Sequence, residues 1–204
     1  LALHVGDDPG DVATNRARLV GVLAVDRIAW MDQVHGREVA VVGPDPQVPT
    51  ADALVTRERG VALAVLVADC TPVLAADPQA GVVGVAHAGR KGLALDVVGA
   101  MLDAMRDLGA RDITARVGPS ICARCYPVPL ALREEVAQVA PQARSEARDG
   151  SPALDIAAGV VAQLSGHGAT VQQLPGCSAE DPALFSYRRD HGTTGRYAGL
   201  AWLP

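Results

Sequence analysis

The sequence predicts an α+β fold with a mixed sheet, on the basis of three observations. Several short β-type runs are bunched between Ile28 and Ala86, and further runs follow the helical patterns in the second half of the chain. Strands and helices do not alternate as they do in a series of β-α-β units. The length of 204 residues fits one domain, and no repeat or linker-like run divides it. We therefore expect one continuous domain over residues 1–204.

Four helices are predicted from start signals and apolar spacing. Asp8-Pro9 is typical of an N-cap and first helical residue, and it predicts a helix over 9–24. The clearest 3.6-residue pattern covers 93–108 and stops at Gly109. The remaining predicted helices are 129–139 and a helix capped at Ser151-Pro152 whose apolar stripe reaches Leu164.

Strands are predicted where apolar residues alternate, or form short runs, between turn residues. The longest apolar run, Val61 to Ala68, ends at Asp69 and is shorter than the ~20 residues of a membrane-spanning helix. The other predicted strands are the runs from Ile28 to Val34, Val39 to Val42, Ala53 to Thr56, Val82 to Ala86, Ile113 to Val117, Thr170 to Leu174 and Tyr197 to Trp202.

Composition excludes several classes of partner. A net charge of -5 and an aromatic content of 3% argue against a surface that binds nucleic acid. Neither a membrane span nor a secretory leader is visible, so we expect no membrane partner and a cytoplasmic location.

The four cysteines are too few for a disulfide scaffold, and we expect free thiols. Because the chain begins at Leu1 rather than Met, we expect that a short N-terminal segment is missing.

Three predicted strands end near a histidine or a cysteine, namely His35, Cys70 and His87. This ligand set suits zinc, and three protein ligands leave one position open, as in catalytic zinc sites. Cys70 follows His35 by 35 residues and precedes His87 by 17, which matches no short zinc motif. The same residues fit a cysteine nucleophile, with His87 as base and Asp69 or Asp32 as its orienter. The residues alone leave both interpretations open.

Two groups of cations could bind an anion in this acidic chain. Arg90 and Lys91 follow a glycine and precede a predicted helix, where free backbone N–H groups also attract anions. Arg188 and Arg189 belong to an arginine-rich stretch that could hold phosphate by bidentate contacts. The alternative for both groups is a solvated surface.

The remaining cysteines carry a weaker signal. Cys122 and Cys125 form a Cys-x-x-Cys pair, but a zinc ribbon needs a second such pair and a redox motif is expected near a thioredoxin-like pattern. We therefore predict a structural or pocket-lining role for this pair and for Cys177, and no bond to the catalytic metal.

A series of different short motifs is spread along almost the whole chain. In order they are Gln33-Val34-His35-Gly36, Ala51-Asp52-Ala53, Ala68-Asp69-Cys70-Thr71-Pro72, Ala86-His87-Ala88-Gly89, Gly118-Pro119, Cys125-Tyr126, Phe185-Ser186-Tyr187-Arg188-Arg189-Asp190 and Thr194-Gly195-Arg196. This set resembles the YfiH family, also called the laccase-domain or multicopper polyphenol oxidase family, from about Leu3 to Leu203. The resemblance implies a β-sandwich core flanked by helices, in αββα layers.

The resemblance also implies an activity and a metal site. Its His-Cys-His set falls on His35, Cys70 and His87, which would hold Zn²⁺, with copper as the alternative. Members are described as purine nucleoside phosphorylases acting on adenosine, inosine, guanosine and methylthioadenosine, with adenosine deaminase activity. The chain departs from the usual pattern at Arg90, where many members have tryptophan, and at Pro127, where glutamate is usual. These departures concern the substrate pocket rather than the metal set.

Phosphorolysis requires cations that position phosphate against the sugar, and we assign Arg90, Lys91, Arg188 and Arg189 to this role. Asp69, beside the cysteine ligand, is a candidate to orient a histidine or to carry a proton. The expected substrates are a purine nucleoside and inorganic phosphate, bound by a monomer or a small homo-oligomer.

Three alternative functions remain. Copper-dependent polyphenol oxidation needs several copper sites and more histidines than the five present. A cysteine hydrolase using Cys70 and His87, including the peptidoglycan-precursor editing attributed to relatives, would need no metal. A binding module without catalysis is the third.

Overall fold

Two β-sheets pack face to face between helices in the computed structural model, which describes every residue from 1 to 204. The helices are α1 (Pro9–Leu23), α2 (Arg90–Ala94), α3 (Val97–Asp107), α4 (Leu130–Val139) and α5 (Ile156–Gly166). The strands are β1 (Arg27–Ala29), β2 (Val39–Val41), β3 (Ala53–Thr56), β4 (Val61–Val67), β5 (Thr71–Asp77), β6 (Val82–Ala88), β7 (Thr114–Val117), β8 (Arg144–Glu146), β9 (Pro152–Leu154), β10 (Thr170–Gln173) and β11 (Tyr197–Trp202). None of the helices combines the length and apolar character that a membrane crossing requires.

The sheets are mixed. The larger sheet has the order β10-β7-β5-β6-β3-β2, in which β5 is antiparallel to both of its neighbours while β2–β3 and β7–β10 are parallel pairs. The smaller sheet has the order β1-β4-β11, and β8 pairs with β9 in a separate hairpin. The predicted α+β class with a mixed sheet is confirmed.

Strand β4 shows how the layers are formed. Val61, Leu63, Val65 and Val67 alternate along it and pack between the two sheets, together with side chains of β6. The intervening alanines pack on the other face with residues of α1 and of the segment that follows it. Because both faces of β4 are covered, its sequence is apolar throughout.

The largest buried cluster lies on the other face of the six-stranded sheet, where α3, α4 and α5 pack. At Gly84 of β6, an added Cβ would lie only 3.0 Å from Sδ of Met105, so the absence of a side chain lets α3 approach the strand. The layers are therefore α1, the small sheet, the large sheet and α3 to α5. This is the αββα arrangement that the family resemblance implies.

Two of the predicted helices are confirmed and two begin elsewhere. The helix at 9–24 is observed with Asp8 as its N-cap, and the helix at 129–139 is observed as α4. The helix predicted over 93–108 is divided, because Asp96 adopts a left-handed conformation and caps α3 through Gly99 N–H.

The predicted cap at Ser151-Pro152 is wrong. Pro152–Leu154 forms strand β9 against β8, and Asp155 caps α5 by accepting from Ala158 N–H at 2.9 Å. Strand β5 was not predicted. The first predicted strand, expected to reach Val34, ends at Ala29.

Candidate metal centre and its pocket

The structure brings His35, Cys70 and His87 to one end of the β-sandwich. His87 follows Val83 and Val85 on the inner face of β6, so strand alternation directs its side chain toward the other sheet. Cys70 lies in the turn that carries the chain from β4 in one sheet to β5 in the other. His35 lies in the loop between β1 and β2 with φ of 61°.

The loop that carries His35 is fixed to β4 through Gln33. The amide of Gln33 donates to the carbonyl of Leu66 at 2.8 Å and accepts from its N–H at 2.9 Å, as a neighbouring strand would. These two bonds hold the loop against the end of β4. The loop from which His35 extends toward Cys70 is therefore held in place by hydrogen bonds.

The three side chains form a compact ligand set. Their candidate ligand atoms all lie within 4.8 Å of one another, and Cys70 Sγ is 3.9 Å from His35 Nε2. The imidazole rings of His35 and His87 meet edge to face, with centroids 4.7 Å apart. A divalent ion such as zinc, at about 2.0–2.3 Å from each atom, would fit among ligands this close after small side-chain movements.

Asp52 is a buried carboxylate that orients two of the three candidate ligands. Its Oδ1 accepts from His87 Nδ1 at 2.8 Å, which leaves Nε2 of that ring for a metal. It also accepts the backbone N–H groups of Val34, His35 and Gly36 at 3.2, 3.0 and 2.6 Å. Burial raises the pKa of Asp52, but the bonds from His87 and the backbone outweigh it and hold the pKa below its ordinary value.

Asp52 was not among the residues predicted to have a role. Only its place in the motif Ala51-Asp52-Ala53 was noted from the sequence. The available signal was an acidic residue between alanines at the start of an apolar strand, since a fully buried carboxylate requires hydrogen-bonding partners.

The thiol and the buried imidazole shift each other's ionisation. Burial raises the pKa of the Cys70 thiol, but hydrogen bonds with His35 and His87 outweigh burial and bring this pKa to about 6. Burial lowers the pKa of His87, whereas Asp52 and Cys70 raise it, with a net result of about 9. The thiolate form that results is both the metal-binding and the nucleophilic form of cysteine.

Gly89 allows the set to be this compact. A Cβ at this position would lie 2.9 Å from Cys70 Sγ and 3.1 Å from Cδ2 of His35. Any side chain would therefore displace a candidate ligand.

The candidate ligands open into a cavity of about 480 Å³, within the size range of small-molecule sites. Its wall includes His4, Asp69, Arg90, Tyr126, Tyr187, Arg188 and Arg196. The guanidinium of Arg188 lies 4.8 Å from the ring centroid of Tyr126, and that of Arg196 lies 5.9 Å from the ring centroid of Tyr187. His4 was not predicted to line a site, and Arg196 was predicted only as part of the motif Thr194-Gly195-Arg196.

Two of the four expected phosphate-binding cations lie outside this cavity. Lys91 is exposed on α2 and does not line it. Arg189 directs its guanidinium away, to the carboxylate of Asp190 and to the carbonyls of Ser178, Asp181 and Leu184. Its contacts stabilise the segment itself. Arg90 and Arg188 are the expected cations that do line the cavity.

The two other expected acids do not contact the histidines. Asp69 lines the cavity, but its carboxylate accepts from Ser178 Oγ and from the N–H of Arg188, both at 2.6 Å. Asp32 is exposed and bridges to Thr50 through its backbone. The orienting role considered for these two acids belongs to Asp52 in the structure.

The other three cysteines form a second group, separate from the first. Sγ atoms of Cys122, Cys125 and Cys177 and a carboxylate oxygen of Glu180 all lie within 4.8 Å of one another. The Cys-x-x-Cys pair is therefore part of a different cluster from His35, Cys70 and His87.

Sequence comparisons place the chain among enzymes of one family. The profile of the family described as "Multi-copper polyphenol oxidoreductase laccase" matches residues 1–204. The chain is 54% identical over 208 residues to a protein of Streptomyces griseus named purine nucleoside phosphorylase ORF3, covering 98% of this chain and 84% of that protein. It is 55% identical over 207 residues to purine nucleoside phosphorylase SCO2081 of Streptomyces coelicolor, covering 98% of this chain and 85% of that protein.

A structural comparison supports the same relationship. The crystal structure of the hypothetical protein YfiH from Bacillus licheniformis superimposes with a TM-score of 0.91 at 29% sequence identity. The match covers 100% of this chain and 85% of that chain. The αββα fold is thus shared with a solved structure.

Proposed function

The chain belongs to the multi-copper polyphenol oxidoreductase laccase family, which includes YfiH-type proteins, and from this membership we propose that it is a zinc-dependent purine nucleoside phosphorylase. The proposed substrates are adenosine, inosine, guanosine and methylthioadenosine, with adenosine deamination as a further activity. The observation that carries the proposal is the single cavity in which His35, Cys70 and His87 face Arg90, Arg188 and Arg196. Relatives named purine nucleoside phosphorylase, at 54–55% identity, support it.

In phosphorolysis the bond between C1′ of the ribose and the purine nitrogen breaks, and its electron pair leaves with the base. A phosphate oxygen forms the new bond to C1′, and the products are ribose 1-phosphate and the free base after it takes up a proton. Arginines bind and orient phosphate through paired N–H groups. We assign this role to Arg90, Arg188 and Arg196, because a chain of net charge -5 can hold an anion only through such short-range contacts.

The ligand set fits zinc on its chemistry. Two imidazole nitrogens and a thiol whose pKa is lowered to about 6 are the donors of a three-ligand site with one open position, and Asp52 orients His87 from outside. The chemistry that zinc supplies when bound is Lewis acidity, which also favours ionisation of water at neutral pH. The carboxylate of Asp69 accepts the backbone N–H of Arg188 and so positions this arginine. The rings of Tyr126 and Tyr187 provide apolar surface for a purine.

We propose zinc rather than a set of copper ions because the chain lacks the additional ligands that copper sites would need. Copper in a His₂Cys site is commonly completed by a distant methionine, and oxidase chemistry requires several copper sites. None of the three methionines lines the cavity, and the chain has five histidines in all.

A cysteine hydrolase is the second candidate function, because one observation favours it directly. Sγ of Cys70 lies 3.9 Å from Nε2 of His35 and within 4.8 Å of a ring nitrogen of His87. Asp52 contacts Nδ1 of His87 at 2.8 Å, so the group has the arrangement of a thiol nucleophile beside an oriented histidine. In that case the protein would act on an amide or peptide bond without metal.

The test is turnover of a panel of purine nucleosides by purified protein, with and without inorganic phosphate. We expect release of free base and ribose 1-phosphate only with phosphate, loss of this activity on removal of metal, and recovery with zinc. Cys70→Ala should abolish both activity and binding of this metal. Base release that is independent of phosphate would contradict the phosphorylase assignment, and full activity on amide substrates in metal-free protein would establish the second candidate.

A further inference from the structure

A second group of metal-ligating side chains lies outside the cavity. The atoms that could ligate, Sγ of Cys122, Cys125 and Cys177 and a carboxylate oxygen of Glu180, lie within 4.8 Å of one another. In sequence they form two pairs with the same spacing, Cys122-x-x-Cys125 and Cys177-x-x-Glu180. The second pair escapes a search for cysteine motifs because its last member is a carboxylate.

Backbone contacts hold the two pairs together independently of any ion. Ser178 donates its N–H to the carbonyl of Ser120 at 3.0 Å, which joins the two segments in a short parallel bridge. The first pair closes a tight turn in which Cys125 N–H donates to the carbonyl of Cys122 at 3.0 Å. Two cysteines separated by two residues in a tight turn are the usual ligand unit of structural zinc sites.

The sulfur of Cys177 accepts a backbone hydrogen bond from the first pair. The N–H of Cys122 donates to it at 3.3 Å, a contact that joins the first pair to the second. This sulfur is buried, whereas those of Cys122 and Cys125 are half-buried.

We propose that Cys122, Cys125, Cys177 and Glu180 bind a structural Zn²⁺ ion as four protein ligands. A closed set without an open position is typical of structural sites and distinguishes this one from the three-ligand set in the cavity. Three thiolates and a carboxylate exceed the charge of the ion, and two arginines offset the excess. Arg148 lies 2.6 Å and Arg124 3.6 Å from Oε1 of Glu180, and neither contact uses Oε2.

Such an ion would stabilise two walls of the cavity. Tyr126, which lines it, directly follows Cys125. Ser178, between the ligands of the second pair, donates to Asp69, and Asp69 in turn accepts the N–H of Arg188. The metal would therefore fix the segment that carries Tyr187 and Arg188 without contacting substrate.

The test compares zinc content in variants of the full chain, prepared under reducing conditions and measured by elemental analysis. We expect about two zinc ions per chain in the wild type and about one in Cys70→Ala, whose remaining ion is at the cysteine cluster. The Cys122→Ser, Cys125→Ser double variant should also retain about one. A Cys70→Ala protein without bound zinc would overturn the proposal.

Cobalt substitution provides a second measurement, which does not require the serine variants to fold. Co²⁺ in Cys70→Ala should show near-ultraviolet thiolate-to-metal absorption and the visible bands of a four-coordinate site. Glu180→Gln should weaken this binding about tenfold or more, while Glu135→Gln, an exposed acid on α4, should not change it. Absence of these bands, or a disulfide between any two of the three cysteines in the reduced preparation, would also overturn the proposal.

The inference does not depend on the proposed function. If the wild-type protein does not catalyse phosphorolysis but the Cys70→Ala variant still binds zinc, only the proposed function is contradicted. Phosphorolysis by a protein with zinc only at the His35, Cys70 and His87 set would contradict the second site alone.

Discussion

Asp52 accepts a hydrogen bond from Nδ1 of His87 at 2.8 Å and, with the same carboxylate, holds the backbone of the loop that carries His35. One buried side chain thus fixes two candidate ligands that are far apart in sequence. A carboxylate behind a histidine ligand sets the tautomer and the direction of the ring.

We predict that Asp52→Asn lowers zinc affinity at the cavity site by about 10- to 100-fold. The amide has one acceptor oxygen for the four donors that face Asp52, and its NH₂ group would point at a donor, so the free energy of unfolding should fall as well. Competition titration with a chelator gives the affinity, and denaturant unfolding gives the stability.

Asp32→Asn is the matched control. Asp32 is exposed in the same loop region and does not line the cavity, so affinity and stability should both stay near wild-type values. Equal loss of zinc affinity in the two variants would show that the loss comes from removing a negative charge in this region rather than from breaking the contact with His87.

Gly89 gives a steric test of the same site. Gly89→Ala places a methyl group 2.9 Å from Cys70 Sγ while its backbone, at φ of −80°, stays acceptable for alanine. We expect zinc affinity to fall about tenfold with a loss of about 1 kcal/mol in stability. Gly43→Ala, where no atom lies within 4 Å of the added carbon, is the control. Unchanged affinity in Gly89→Ala would mean that Cys70 is not held in place by this approach.

Asp77 provides a pH-dependent prediction away from the site. This buried carboxylate accepts the N–H groups of Ala80, Arg111, Asp112 and Gln79, and these bonds outweigh burial and bring its pKa to about 2. The unfolded value is about 3.9. The ionised group therefore stabilises the fold fully above about pH 4, and this contribution is lost as pH falls to about 2.

Asp77→Asn should consequently be less stable than wild type at pH 7, and the difference should narrow as the pH falls from about 4 to about 2. Denaturant unfolding over a pH series measures both effects. Asp45→Asn, an exposed acid in a loop, should follow the wild-type curve. A constant difference between wild type and Asp77→Asn at every pH would refute the role of ionisation.

The fold could be predicted where local signals decide it. Asp8-Pro9 starts α1, and the apolar run of β4 identifies a strand covered on both faces. Strand β5 was missed because Pro72, near its start, has no N–H and argues against a strand, although its partners on both sides supply the pairing. Pro152 likewise follows a helix-cap signal but pairs with Glu146, a contact that only the folded chain reveals.

The candidate site divides in the same way. His35, Cys70 and His87 were predicted because polar residues end apolar runs, whereas the contact of Asp52 with His87 depends on the pairing of β3 with β6. Arg188 and Arg189 are identical and adjacent, so sequence alone cannot separate a cavity residue from a structural one. The structure separates them by the direction of each guanidinium.

Arg188 and Arg189 should therefore respond differently to substitution. Arg188 lines the cavity with its guanidinium against the ring of Tyr126 and one bond to the carbonyl of Pro127 at 3.1 Å, so it has donors left for an anion. We expect Arg188→Ala to raise the KM for phosphate by about tenfold or more, the worth of one charge-assisted hydrogen bond, with little change in melting temperature or zinc content.

Arg189→Ala should behave in the opposite way. Its guanidinium donates to three carbonyls and to Asp190, and these acceptors would lose their partner, so the melting temperature should fall while the KM for phosphate in the remaining folded protein stays near the wild-type value. Steady-state kinetics over a phosphate series and thermal unfolding separate the two effects. A raised KM in Arg189→Ala with full stability would return this residue to the phosphate site, and an unchanged KM in Arg188→Ala would leave phosphate to Arg90 and Arg196.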